Sequence, residues 1–429
     1  VTARLGLLLG AITAANMLLW FLLQGYVLAT AGAGAQADAF FASLALPQLV
    51  LLVANSSLSH VLVPFFSGKP VAQVRGEATV LVLVVGGTFA VIAAVLWLAA
   101  PAWVPLLVPG FDAKGQALTI ALTRVQVAGM AFSTVLAVLV AACHAQGRFA
   151  LAESAPLAAT LLAFAAMVIV LPRYGVAGAA WVNVGRAVGG VLLLSPTLAG
   201  AQRVPWSAVA GLWGRMRPLL LSASYYKSDQ LFDRFFTSMG QAGELSLFYF
   251  AQQAALAVNT VLGKGISAPA VPRLAVLVRQ ADWAGFHALY HRRLFLLTGV
   301  SILCCVAFGA AGALAWQFAG GIPQLMQLHG QALRDAIQLF LLLSGVIVGG
   351  GAGLVLSEAF FSLGDTLTPA LVTAGCFTAG IAMKAVGFSF LGVTGLALAN
   401  SAYFLSYPAV LYVLLEAHLA RRRAPAAAR

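Results

Sequence analysis

The feature that most limits what this chain can fold into is the recurrence of apolar runs of twenty residues or more, about twelve in all. Short connections marked by Gly, Pro, Asp or Arg separate them. A helix needs roughly 20 apolar residues to cross the hydrocarbon core of a bilayer. The runs fall at about 5–30, 38–66, 78–100, 116–142, 150–171, 175–200, 214–238, 245–272, 290–318, 333–362, 367–387 and 392–416. They are continuous rather than ten-residue alternations, so the spans are helices and not barrel strands. An all-α polytopic membrane protein is therefore expected. Charged residues make up only 8% of the chain and hydrophobic ones 62%, whereas soluble domains carry about 25% charge. Soluble enzymes, nucleic-acid binders and disulfide scaffolds are excluded, and the net charge of +12 belongs to a membrane context.

Basic residues set the orientation. With a cytoplasmic N-terminus the inner loops and tail hold fifteen Lys and Arg residues, among them Arg148, Arg292, Arg293 and Arg421 to Arg423. The outer loops hold three: Lys114, Arg173 and Arg334. That asymmetry places both termini in the cytoplasm. The tail at 419–429 is expected to lie against anionic headgroups, and the first 30 residues read as a span rather than a cleaved leader.

The two halves repeat. Gly147, Gly175, Val176, Gly178, Ala180 and Asn183 match Gly364, Gly392, Val393, Gly395, Ala397 and Asn400 at the single offset of 217 residues. A weaker echo pairs Asp38 and Pro64 with Glu244 and Pro272. Two six-span lobes follow, at 1–200 and 218–418, joined by a cytoplasmic linker at 201–217. An even number of spans per repeat gives both lobes the same orientation. This is a parallel-repeat transporter plan with a site between lobes that rock.

Polar residues within spans are costly in hydrocarbon and are the site candidates. In the seventh span Tyr226, Lys227, Asp229, Gln230, Asp233 and Arg234 occupy one arc of a helical wheel and should face a cavity or partner helices. Asp229 and Asp233, one turn apart, suit a coupling Na+ or H+. The competing reading is a locked ion network completed by Lys227, Arg234 and Lys384 of the eleventh span. Arg124 and Arg186 have no acid at comparable depth in the N-terminal spans, and with Lys264 of the eighth span they form a candidate cationic substrate site, because a guanidinium fork matches phosphate oxygens. The alternative is that they bind interhelical carbonyls. Asn55 belongs to a polar patch before Pro64, where a kinked, partly unwound segment is expected. Glu358 follows Gly349-Gly350-Gly351, a run expected to bend its helix, and reads as a gate. His60 has no neighbours at ligand spacing, and the four cysteines show none either, so neither a metal nor a redox centre is expected.

No GxxxxGK[ST], HExxH or GxSxG motif occurs, so neither ATP coupling nor enzymatic catalysis is expected. The run Gly32-Ala-Gly-Ala-Gln-Ala-Asp-Ala-Phe-Phe, followed by Leu46-Pro47, Ser59 and Val63-Pro64, resembles the signature of the MurJ/MviN-type lipid II flippases. So do Gln146-Gly-Arg-Phe with Pro156, and Asp233-Arg234 followed by Gly243 and Tyr249-Phe-Ala. That family lies within the multidrug/oligosaccharidyl-lipid/polysaccharide exporter superfamily. The resemblance implies two six-helix lobes around a cationic cavity. It also implies translocation of polyprenyl-pyrophosphate-linked sugars across the bacterial inner membrane, driven by an ion gradient or membrane potential. It further implies arginines in the first, second and eighth spans; the corresponding stretches here are Met17 to Gln24, Leu51-Leu52 followed by Asn55, and Gln252-Gln253. The expected partners are a lipid-linked oligosaccharide or peptidoglycan precursor and membrane lipids. A cation-coupled drug antiporter and a non-transporting, flippase-derived scaffold are the alternatives.

Overall fold

The computed structural model describes residues 3–263, 271–318 and 330–423. The described residues form helices and no strands. In order these are α1 (Ala3–Ala31), α2 (Ala35–Ser43), α3 (Ala45–Phe66), α4 (Val71–Leu107), α5 (Ala113–Ala145), α6 (Phe149–Leu194), α7 (Ser207–Ala210), α8 (Leu212–Lys227), α9 (Asp229–Ser238) and α10 (Glu244–Leu262). They continue with α11 (Val271–Arg279), α12 (Trp283–Phe318), α13 (Gly330–Leu342), α14 (Ser344–Ser362) and α15 (Leu367–Arg423). Among the described residues nine helical stretches are long and apolar enough to cross a membrane. Two of them, Phe149–Leu198 and Leu367–Ala420, are 50 and 54 residues long, about twice a span.

Both long stretches fold back on themselves at a glycine. Gly175 has φ 59° and ψ −156°, and Gly392 has φ 59° and ψ −140°, a region open essentially to glycine alone. Residues eight apart in a straight helix lie about 12 Å apart along its axis. Here a Cβ on Gly178 would sit 2.6 Å from Val170 Cγ1, and one on Gly395 would meet the backbone of Gly387. Each stretch is therefore a helical hairpin carrying two spans, which makes eleven. The run expected at 214–238 is covered by α8 and α9, which are not among these apolar stretches. The sequence repeat thus corresponds to the same backbone in both halves. Gly147 and Gly364, one offset apart, also share positive φ values of 72° and 80°.

The chain forms two compact units, Val1–Ser246 and Leu247–Arg429. In the first, Leu58, Leu62 and Phe66 of α3 pack with Ala78 and Leu81 of α4, Val138 and Ala142 of α5, and Val209 and Leu212 of α7 and α8. Residues of the stretch read as a linker are thus part of this core, and just ahead of it Arg75 donates to the Ala199 carbonyl (2.7 Å). With α8 and α9 lying against α3, the first unit extends to Ser246. In the second unit Leu274, Phe286, Tyr290, Leu356, Phe360, Leu411 and Leu415 join α11, α12, α14 and α15. Outward side chains such as Phe390 (81% exposed) and Leu83 (71%) are large and apolar, as a lipid-facing surface requires.

Two expected distortions lie elsewhere. The helix at Pro64 is unbroken from Ala45 to Phe66, and the second span breaks instead at Leu44, between α2 and α3. The Gly349-Gly350-Gly351 run is continuous helix. Its glycines admit close neighbours, because a Cβ at Gly349 would strike the Phe404 carbonyl and one at Gly350 would lie 2.6 Å from Asn259 Nδ2. Small residues here serve interhelical contact, which is their commonest use in membranes.

Candidate functional site

In the first unit, polar side chains lie on the two helices α1 and α6, which pack against each other. Asn16, Trp20 and Gln24 follow one another at intervals of four and share a stripe of α1. Across from them, the Arg186 guanidinium of α6 lies over the Trp20 ring, 4.3 Å from its centroid. Asn183 is three residues earlier on α6. Among the described residues, Asn16 Oδ1, both polar side-chain atoms of Gln24, both of Asn183, and Arg186 Nε are buried without a hydrogen-bond partner. Gln24 is 1% exposed and Asn183 7%. A buried amide left without a partner costs roughly 1–3 kcal/mol, so a row of them marks a place where solvent or a ligand completes the bonding. The cation–π contact holds the guanidinium over Trp20 while its Nε stays without a hydrogen-bond partner.

Arg124 is placed differently. Its guanidinium stacks on Trp97 of α4, 4.6 Å from the ring centroid, and its Nε donates to the Trp97 carbonyl at 3.2 Å. Arg124 and Arg186 therefore occupy separate helix contacts, α4–α5 and α1–α6. Lys264, the third expected cation, lies outside the described residues, and the side chain of Asn55 does as well, although its backbone is part of α3.

The seventh span is two helices, broken at Ser228. Lys227 ends α8 and donates its Nζ to the Leu52 carbonyl of α3 (2.9 Å). Asp229, Asp233 and Arg234 on α9 are 8%, 0% and 1% exposed, while Tyr226 is open and Gln230 half-buried. Lys227, Asp229, Asp233 and Arg234 are all engaged by other groups. Of the expected polar arc, Asp229, Asp233 and Arg234 are thus buried on the short helix α9, Tyr226 is exposed, and Lys227 belongs to α8. In the second unit Lys384 is fully buried with its Nζ 5.5 Å from the Tyr403 ring centroid. Glu358 is half-buried beside Ser357, whose hydroxyl meets Tyr407 Oη at 2.6 Å.

Sequence reasoning missed the role of Asp38. Its carboxylate accepts the amides of Gly243 (2.6 Å) and Ser246 (2.8 Å) at the start of α10, while only 2% exposed. It borders a cavity of about 240 Å³ that Asp112, Ser238 and Gln241 also line. The signal was present as an acid in an otherwise apolar span, but the partner lies more than 200 residues away. Asn16, Trp20 and Gln24 were also missed as a stripe; their spacing of four in α1 was the available sign.

The family model described as lipid II flippase MurJ matches residues 28–426. The chain belongs to the MurJ family. MurJ proteins are membrane transporters, and among solved structures the lipid II flippase MurJ in an inward closed conformation superposes with a TM-score of 0.75. It is 15% identical, with 96% of this chain and 87% of that one covered. An inward-facing multidrug resistance MATE family transporter of the MOP superfamily superposes with a TM-score of 0.78 at 14% identity, covering 95% and 96%. A MOP superfamily transporter from Pyrococcus furiosus gives 0.62 at 15% identity, covering 97% and 96%. No curated protein sequence matches the chain. The expected all-α, multi-pass transporter architecture is thus the one found, and the MurJ fold is shared with MATE-type exporters. In this MurJ chain the stretch Met17 to Gln24, without arginine of its own, faces a guanidinium supplied by α6.

Proposed function

We propose that this MurJ-family transporter flips a polyprenyl-pyrophosphate-linked oligosaccharide or peptidoglycan precursor across the bacterial inner membrane, with both termini in the cytoplasm. The observation that carries the reading is Arg186, seated on Trp20 with its Nε unpartnered among the described residues, together with the unpartnered amides of Asn16, Gln24 and Asn183 on the same two helices. A pyrophosphate offers acceptors for the guanidinium and amide N–H groups, and the sugar hydroxyls offer donors for the amide oxygens. Arg186 receives the headgroup, and Arg124, committed to Trp97, holds α5 against α4. Asp229 and Asp233 couple a Na+ or H+ to the movement, with Lys227 and Arg234 setting the charge balance around them, and in the second unit Glu358 acts at a gate.

The test is native mass spectrometry of the purified chain with polyprenyl-pyrophosphate sugars, an uncharged polyprenol and a lipophilic cation, followed by flipping in vesicles under an imposed ion gradient. Wild type and Arg124→Ala should retain the pyrophosphate lipid selectively and Arg186→Ala should not. Asp229→Asn/Asp233→Asn should bind normally and no longer respond to the gradient. Equal retention of all lipids by wild type and Arg186→Ala would overturn the assignment. The fold likeness to a MATE transporter supports a second reading, a cation-coupled drug antiporter, and selective retention of the lipophilic cation would establish it instead.

A further inference from the structure

In the second unit, His287 and His291 stand one turn apart at the start of α12, and both direct Nε2 at the same atom, Glu416 Oε1 on the last turns of α15. Each nitrogen is 3.2 Å from that oxygen, and the three ligand atoms all lie within 4.8 Å of one another. The imidazole rings are 4.1 Å apart, centroid to centroid. We propose that these residues form a binding site for a divalent transition-metal ion of the Zn2+ type, with two imidazoles and one carboxylate as ligands and water in the fourth position.

The chemistry and the geometry both favour it. Zinc takes His nitrogen and carboxylate oxygen at about 2.0–2.2 Å in a tetrahedral arrangement, which puts neighbouring ligand atoms about 3.3 Å apart. The two nitrogen–oxygen edges here have that length, and the nitrogen–nitrogen edge is no longer than 4.8 Å. Histidines at i and i+4 present two nitrogens from one helix face, the spacing used by helical zinc sites. The surroundings fix the rings as a ligand set needs. Tyr412 meets His291 edge-on with ring centroids 5.7 Å apart, and Tyr290, fully buried, touches both imidazoles at 5.4 and 4.5 Å. The side chains of His287, His291 and Glu416 are 33%, 20% and 32% exposed, so an ion can enter while most of its shell is protein.

A further histidine–acid pair among the described residues makes the contrast. His144 meets Glu153 at 3.4 Å without a second imidazole, and Glu153 also accepts from the Thr13 hydroxyl at 2.9 Å. That is an ordinary polar contact. At the α12–α15 cluster the bound ion would clasp helices whose ligands lie 125 residues apart in the chain. The site involves none of the groups assigned to substrate, so it stands independently of the proposed transport function.

The experiment uses the full chain, freed of any affinity tag and stripped with a chelator, titrated with Zn2+ against a chromophoric competitor. Co2+ absorption then reports coordination number. One Zn2+ per chain is expected, with a four-coordinate Co2+ spectrum and a rise in melting temperature on metal addition. His291→Ala and Glu416→Gln should each weaken binding by about 100-fold or more, the upper range for loss of even an outer-shell partner, and His144→Ala should not. His287→Gln/His291→Gln, checked for wild-type melting in the absence of metal, separates loss of ligands from loss of fold. Absence of a saturable Zn2+ site in the wild type, or retention of its affinity in the double variant, would overturn the proposal.

Discussion

Replacing Asp38 should loosen the start of α10 without disturbing the rest of the first unit. Both carboxylate oxygens are used, Oδ2 by the Gly243 amide at 2.6 Å and Oδ1 by the Ser246 amide at 2.8 Å. A hydrogen bond to a charged group contributes about 1.5–3 kcal/mol, and the negative charge sits where a helix N-terminus favours it. The cost of holding a carboxylate out of water offsets part of this, leaving a local stabilisation of about 2–3 kcal/mol. Since every 1.4 kcal/mol is tenfold, the amides of residues 243–246 should exchange hydrogen about 30- to 150-fold faster in Asp38→Ala. Asp38→Asn keeps an acceptor but loses the charge and should fall between the two. Mass spectrometry of exchange in detergent micelles reads this directly. Unchanged protection of that segment in Asp38→Ala, with the protein folded, would refute the reasoning; faster exchange throughout the unit would show that Asp38 supports the whole fold rather than the cap.

Gly175→Ala and Gly392→Ala should each destabilise the protein by about 1–3 kcal/mol, the cost of a side chain in a glycine-only backbone region. Gly211→Ala, where φ is −68°, should change the melting temperature little. Equal melting of all three variants would remove the case for the twin reversals. Asp365 caps α15 by accepting the amides of Leu367 and Thr368, both at 3.0 Å, and the Thr368 hydroxyl at 2.6 Å. These bonds, the Thr368 hydroxyl foremost, hold its carboxyl below the ordinary value of 3.8. A depressed value means stability that is present above the unfolded pKa and lost as pH falls through the folded one. Asp365→Ala should therefore lower stability by about 1 kcal/mol at neutral pH, and the difference from wild type should hold down to pH 3.8 and disappear below it. A difference that persists undiminished in stronger acid would contradict the cap.

Span number and the repeat were legible because length and glycine spacing are written locally. A hydrophobic run of span length has few other uses, and Gly175 and Gly392 fall where only glycine can turn the chain. Helix azimuth was not legible. In a membrane the lipid side and the protein side of a helix are both apolar, so nothing in the pattern around Arg124 said that it faces Trp97 on α4 rather than a cavity. The run at 214–238 was recognised by its length, yet its break at Ser228 left no mark beyond one serine. Asp38 and Glu416 each depend on partners more than a hundred residues distant, and a single chain shows no such pairing. His287 and His291 did have the right spacing, but two imidazoles on a helix become a candidate site only when a third ligand is brought alongside.

The hairpin reversals at Gly175 and Gly392 bear on how the chain reaches the bilayer during synthesis. A span joined to the next by a polar loop can be released into lipid by itself, with its far end already solvated. Spans five and six share no such loop: the second helix lies against the first from Gly178 onward, with Arg173 the one charge beside the turn. Such a reversal favours release of the two helices into the bilayer as a pair, and the same holds for spans eleven and twelve. A mutation that slows helix formation in either member of a pair then strands both, so biogenesis is vulnerable at the same register in each half of the chain.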